Sequence, residues 1–304
     1  MRYKKYSTVR FFREVNTEAK ARELIWQGRF KDTGFECPQC QSHDYYELKS
    51  RAHVRECQAC HHQLSVKSGT IFQQTHIPLL TWIRAIFLMT KSKRGISALE
   101  MQRQLEMSRY ATVLSMMNRI REALRQKDQG YKIEGIIELD GAHFGKKGTD
   151  THQKVLVGVE TKRWWDDTGK IKQRAGFAKV FIGGESHENI EELIKTSVKE
   201  GSDLKTDGFK SYQEAPSGVV THQKVIGGDE KTMKYWLPWV HKFISNAKRW
   251  ILGTHHGLNS NKYLELYLAE YTYRFNRRHD LNGLFHRAVT ACAVAKPLQP
   301  AKSG

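Results

Sequence analysis

The chain has 304 residues, room for two or three domains rather than one. Its 50 Lys plus Arg against 32 Asp plus Glu leave a net charge of +18, a surplus suited to neutralising phosphates, although charge alone leaves open a basic protein with no such partner. No apolar run approaches the roughly 18 residues of a membrane span, and the basic N-terminus lacks the apolar stretch of a signal peptide. The expectation is a cytoplasmic, nucleoid-associated protein with no membrane partner.

Residues 1–30 read as an N-terminal helical segment and residues 31–75 as a zinc ribbon. Four of the five cysteines fall in two pairs, Cys37-Pro-Gln-Cys40 and Cys57-Gln-Ala-Cys60, with 16 residues between them. That spacing suits a four-cysteine zinc site, and a reducing compartment favours a metal over disulfides. Four thiolates already close a tetrahedral structural site, so the nearby His43, His61 and His62 read as basic surface residues. Four chance cysteines or a redox pair are the alternative. Cys292 stands alone.

Residues 76–127 read as a helix-turn-helix DNA-binding region. In LLTWIRAIFLMTKSK, Leu80, Ile83, Ile86 and Phe87, with Thr90 next in register, follow an amphipathic helix period. Ser97 with Glu100 three residues on opens the next helix like a capping box, a turn falls at 106–108, and Ser108 precedes a longer helix. A helix-turn-helix would place Arg109, Tyr110, Asn118, Arg119 and Arg121 towards a DNA groove. Two packed core helices would give the same pattern.

A linker (KDQG, 127–130) leads into residues 128–295, where strand-like runs fall at 134–144, 154–160 and 177–182, with KRWWDDTGK as a hairpin tip. A helix fits 186–200, short strands fit 204–207 and 219–225, and helices begin at Pro238 and span 261–278. The order predicts an α/β domain, a ribonuclease-H-like mixed sheet with flanking helices, and leaves 296–304 as a flexible tail. In the run 134–140, Gly135, Ile137 and Leu139 alternate with Ile136, Glu138 and Asp140, so a strand buries the first set and turns the carboxylates to the other face. A mid-strand carboxylate is costly unless something cationic sits against it. Asp207 ends a short strand before a glycine, a place where a turn residue is also common. Two carboxylates on adjacent strands could share divalent ions, which suits in-line phosphoryl displacement.

Taken together, CPQC and CQAC, the run SGTIFQQTHIPLLTWIRAIFLMTKSKRGISALEMQRQL, the Asp140 strand, TDGFKSY and the closing RWILGTHHG and YLAEYTYRFNRR resemble the insertion-sequence transposases of the group numbered fifteen ninety-five. The resemblance runs from about residue 20 to 293. It implies a catalytic core of the DDE kind, with Asp140 and Asp207 at the first and second acidic positions and Mg²⁺ or Mn²⁺ as catalytic ions. It also implies double-stranded DNA, both element ends and target, as partner, and a homo-oligomer in the synaptic complex. The activity it implies is cleavage at element ends to leave a 3′-hydroxyl, followed by joining to target DNA.

At the third acidic position the chain departs from the family pattern. Counting back from Lys248-Arg249 places His241 there, with Glu230 and Glu138 as fallback ligands. Val240, Phe243, Ile244, Ala247 and Ile251 form the expected buried stripe, leaving His241 facing the cleft. Pro238 puts it in the first helical turn, where the dipole disfavours a charged imidazole and favours a neutral, metal-binding one. A surface histidine is the alternative. Histidine suits Mn²⁺ better than Mg²⁺.

From residue 242 to the end, ten Lys or Arg stand against three Asp or Glu. Lys242, Lys248, Arg249 and Trp250 are candidate DNA contacts on this basis. Tyr263, Tyr267, Tyr271 and Phe275, spaced by fours, read as core instead. Two competing functions remain: a non-catalytic zinc-ribbon and helix-turn-helix regulator, and a nuclease without joining activity.

Overall fold

The structure, a computed structural model, describes residues 7–30, 33–149, 152–207, 218–223, 235–257 and 261–297. Glu230, the end of the TDGFKSY segment and most of the expected tail lie outside them. The chain divides into two compact units, one of residues 1–127 with 279–304, the other of residues 128–278.

In the first unit, Ser7 and Thr17 cap α1 (Thr8–Glu14) and α2 (Glu18–Arg29) by accepting from the amides of Arg10 and Lys20. The ribbon that follows is an antiparallel sheet of β1 (Tyr45–Glu47), β2 (Val54–Cys57) and β3 (Gln63–Ser65). Arg55 on β2 fastens it to α2, its guanidinium lying between the rings of Trp26 (4.4 Å) and Tyr45 (4.3 Å).

α3 (Leu79–Lys91) begins where Glu18 accepts from the amides of Leu79 (2.8 Å) and Leu80 (2.9 Å). Leu79, Trp82, Ile83, Ala85, Ile86, Phe87, Met89 and Thr90 are all buried, so α3 is a central helix rather than the surface amphipathic one its periodicity suggests. Aromatic packing explains this: Phe11 of α1 stacks on Phe87 at 3.9 Å, and Phe285 of the closing helix meets both rings edge-on. That closing helix, Leu284–Val294, packs on α2 and α3. The catalytic domain expected through residue 295 therefore ends, as a compact unit, at Arg278.

α4 (Ala98–Gln104) and α5 (Tyr110–Gln129) are joined by a turn in which Glu106 takes a left-handed φ of 52°. Ser97 caps α4 by accepting from the Glu100 amide, but the Glu100 carboxylate accepts from Gln104 (2.8 Å) and pairs with Arg103. Only the Ser97 half of the expected capping box is therefore made with these side chains.

The second unit is built on five strands among the described residues: β4 (Ile136–Phe144), β5 (Gln153–Trp165), β6 (Ile171–Ile182), β7 (Ser202–Thr206) and β8 (Val219–Gln223). They lie in the order β6-β5-β4-β7-β8. The β4–β5 and β5–β6 pairs are antiparallel, the β4–β7 and β7–β8 pairs parallel. This is the ribonuclease-H-like mixed sheet. On one face, Ile137, Leu139, Leu156 and Leu204 pack against α6 (His187–Ser197). On the other, Ala142, Phe144, Val155, Val157 and Val159 pack against α7 (Pro238–His255) and α8 (Leu264–Asn276). The β5 and β6 strands run well past the limits that periodicity suggests, so Lys162–Trp165 belong to a strand and the hairpin tip shrinks to residues 166–170.

Candidate active site

Two knuckles of the same shape present the four cysteines. The Cys37 amide donates to Ser42 O and the Cys57 amide to His62 O, while Gln41 and His61, each four residues after the first cysteine, take left-handed φ values of 62° and 59°. The resulting turns aim backbone amides at the sulfurs. Cys57 is pushed up by burial but pulled down further by the amides of Cys60 and Ala59 and by the Cys40 and Cys37 thiols, to about 6. Sulfur separations are 3.6 Å for Cys37–Cys60 and 3.5 Å for Cys40–Cys57, with all four ligand atoms within 4.8 Å of one another. A tetrahedral ion with Zn–S bonds of about 2.3 Å spaces its sulfurs about 3.8 Å apart, so the four thiols fit zinc. His43 and His61 are engaged elsewhere, with Phe35 O and the Glu56 carboxylate.

In the second unit, the parallel register of β4 with β7 pairs Ile136 with Asp203 and Glu138 with Lys205. Continued by two residues, it sets Asp140 beside Asp207, just past the end of β7. Trp236 fixes that strand end by donating from its indole to Thr206 O (2.8 Å), while Lys205 Nζ donates to Trp236 O (2.7 Å).

α7 lies on the face of the sheet to which Glu138 and Asp140 point. Its first turn lies over β4 because Glu138 Oε2 accepts from the amides of Trp239 (2.7 Å) and Val240 (3.0 Å), and Glu138 Oε1 accepts from Thr161 Oγ1 (3.1 Å). Burial pushes the Glu138 carboxyl up, opposed by these three hydrogen bonds and by Lys205. A helix N-terminus, rather than a cation alone, thus compensates the mid-strand carboxylate. Glu138 caps α7 and holds His241 in place, which is a different task from the fallback ligand expected of it.

His241 Nε2 lies 3.1 Å from Asp140 Oδ2. The hydrogen bond to Asp140 raises the imidazole pKa; burial opposes it, and the charges of Asp140, Glu138 and Asp207 add to the rise. The rise runs against the lowering expected of a helix N-terminus. Asp140 and His241 form the close pair. Among the described residues only the four cysteines make a set of three or more such ligands within 4.8 Å, so Asp207 stands near but outside such a set.

The stripe Val240, Phe243, Ile244, Ala247 and Ile251 is buried as its spacing predicts. Trp250 is buried with it at 8% exposure, so it is a core residue and not a DNA contact. Lys242, Lys248 and Arg249 are exposed on the outer face of α7. Lys248 overlies the Phe144 ring at the end of β4, and its charge, with those of Lys154 and Lys147, acts on His143. These lysines of β5 and the loop before it escaped notice because they lie scattered along the chain.

Arg109, just before α5, and Tyr110, its first residue, are exposed, as a groove-reading face requires. Arg119 instead donates to Ile71 O (3.3 Å) and Gln73 O (3.2 Å), and the Arg121 side chain is buried, donating to Asn118 Oδ1 (2.9 Å). These three residues are structural. The tract ending in NRR is structural too: Asn276 bridges Ala178, Asp128 and Tyr131, and Arg277 pairs with Asp128 at 2.7 Å.

Residues 132–276 match the model of the ISXO2-like transposase domain, and residues 16–63 match that of the transposase zinc-ribbon domain. A protein of Halobacterium salinarum, described as an uncharacterized protein in transposable element ISH50, is 24% identical over 280 residues, covering 85% of this chain and 90% of that protein.

Proposed function

Because the chain belongs to the IS1595 group of insertion-sequence transposases, we propose that it cleaves the ends of its element and joins the freed 3′-hydroxyl to target DNA, with Asp140, Asp207 and His241 as the metal-holding residues. The observation that carries this reading is the 3.1 Å approach of His241 Nε2 to Asp140 Oδ2, with Asp207 just past the end of the neighbouring strand β7 and its charge acting on the same imidazole. Two ligands at about 2.1 Å from one octahedral ion stand about 3.0 Å apart, so the pair fits Mg²⁺ or Mn²⁺, and the imidazole nitrogen favours Mn²⁺. When bound, divalent ions supply an activated water and stabilise the charge on both the attacking and the leaving oxygen.

The chain's own residues set the geometry. Asp140 on a central strand and His241 on the first turn of α7 approach from two elements fixed by Glu138, so the site is rigid before DNA arrives. In the first step a water oxygen bonds to the phosphorus at the element end and the P–O3′ bond breaks, leaving a 3′-hydroxyl and a 5′-phosphate. In the second, that 3′-oxygen attacks a target phosphodiester, forming one bond as another breaks. The exposed Lys242, Lys248 and Arg249 of α7 hold the DNA backbone beside the site, and Arg109 and Tyr110 at the start of α5 meet DNA at a groove. A homo-oligomer brings two element ends together.

A purified preparation given Mn²⁺ or Mg²⁺ and the flanking DNA of its own locus is expected to produce joined strands. Asp140→Asn and Asp207→Asn are each expected to abolish joining while DNA binding stays nearly unchanged. Joining retained within about tenfold, roughly 1.4 kcal/mol of barrier, would remove that residue from the metal site. The non-catalytic regulator is not favoured, because the α/β unit that would serve it for dimerisation or ligand binding matches a transposase domain over residues 132–276.

A further inference from the structure

The β5–β6 hairpin carries an exposed arm that the catalytic reading does not use. Past the bulge between Val159 and Thr161, residues 162–165 pair with residues 171–174, and all eight are exposed, so the two strands leave the layered core as a ribbon bare on both faces. Trp165 is 69% exposed and Ile171, its cross-strand partner, 59%. A two-stranded ribbon is marginal by itself, and large apolar side chains left in water on one mark a surface that something covers.

The chemistry of the ribbon says what covers it. Residues 162–174 hold five Lys or Arg against two Asp. One face presents Arg163, Trp165, Ile171 and Gln173; the other presents Lys162, Trp164, Lys172 and Arg174, with the Arg174 guanidinium 5.6 Å from the Trp164 ring. Lys162 and Lys172 are drawn to Glu160 and Asp166. The first face is continuous with the catalytic face of the sheet: Thr161 bonds Glu138 from β5, and Arg163, two residues on, acts on Lys205.

We infer that the arm is a DNA-binding ribbon that lies along the element-end duplex whose scissile strand sits at Asp140, an inference that rests on the transposase reading. The major groove of B-DNA admits a two-stranded ribbon, and several DNA readers use one. Val157 pairs with Asp140, and eight residues of strand separate it from Trp165, about 26 Å at roughly 3.3 Å per residue. A duplex crossing that face meets the arm within about one helical turn of the cut. Arg163 neutralises a phosphate there, and the Trp165–Ile171 patch packs on the groove wall.

The test uses the full zinc-loaded chain and a duplex from the flank of its own element. Arg163→Ala with Trp165→Ala is expected to weaken binding about tenfold or more at low salt and to make the slope of log affinity against log salt less negative by about 1, with zinc content and Tm unchanged. In an otherwise wild-type chain, benzoylphenylalanine in place of Gln173 is expected to cross-link on illumination to that duplex within one turn of the cleavage position. If the double variant binds with wild-type affinity and slope, or if cross-linking captures only a second copy of the chain or unrelated target duplex, the inference is overturned while the catalytic reading stands. If the wild-type chain neither binds nor joins the element end, both fall together.

Discussion

Glu138 and His241 meet at one end of α7, and each yields a measurement. The raised imidazole pKa sets a sign: below the ordinary value of 6.5 the charged His241 stabilises the metal-free protein through Asp140, and this contribution is lost as pH rises through the higher folded value. Ion binding needs the neutral ring, so affinity for Mn²⁺ and the joining rate are expected to fall on acidification from a pH above 6.5, earlier than for a free imidazole. His241→Glu is expected to shift that decline to lower pH and to improve use of Mg²⁺. A pH profile unchanged in His241→Ala, at wild-type rate, would make His241 a bystander. For Glu138, removal of the carboxylate strands two α7 amides, a loss of about 1–3 kcal/mol in Glu138→Ala. Glu138→Gln keeps one oxygen for both amides and is expected to lose less. Urea unfolding of the two variants checks the order, and an equal effect would show that the hydrogen bonds do not matter.

At the scale of elements, the sequence was legible where one face of one element decides the answer. The cysteine spacing, the buried stripe of α7 and the alternation that turns Asp140 to the α7 face all have that form. On β5 the run 155–159 is buried on both faces and so offers no alternation, and the bulge that follows lies on β6, where the step from Ala178 to Ala175 spans two residues of β5. For α5, basic residues suggested a groove-facing surface, yet Val113, Met116, Met117, Ile120 and Leu124 define its buried stripe, and Arg121 falls four residues after Met117 and three before Leu124. The same count places Trp250 with Phe243 and Ala247. The helix period held the answer in both cases, and charge and aromaticity drew attention from it. Arg109, just ahead of α5, and Arg119 within it should therefore part company. Arg109→Ala is expected to weaken DNA binding without changing Tm, whereas Arg119→Ala is expected to lower Tm by releasing Ile71 O and Gln73 O. The reverse pattern in a paired binding and melting experiment would exchange their roles.

Across the whole molecule the charge is unevenly shared. Residues 1–127 with 279–304 hold 26 Lys plus Arg against 12 Asp plus Glu, a net +14, while residues 128–278 hold 24 against 20, a net +4. Most of the non-specific attraction to DNA is therefore expected of the first unit, with the exposed lysines of α7 adding a local share. Counterion release makes log affinity fall by about 0.9 per phosphate neutralised for each tenfold rise in salt, so six to ten contacts imply a loss of about a thousandfold or more between about 50 and 200 mM. Binding measured over that range is expected to fall so steeply, and to do so equally in Asp140→Asn and Asp207→Asn, because those carboxylates lie in the nearly balanced unit. A flat response would separate the basic surplus from DNA binding, and a slope that changed markedly in the Asp variants would place the phosphate contacts at the catalytic site instead.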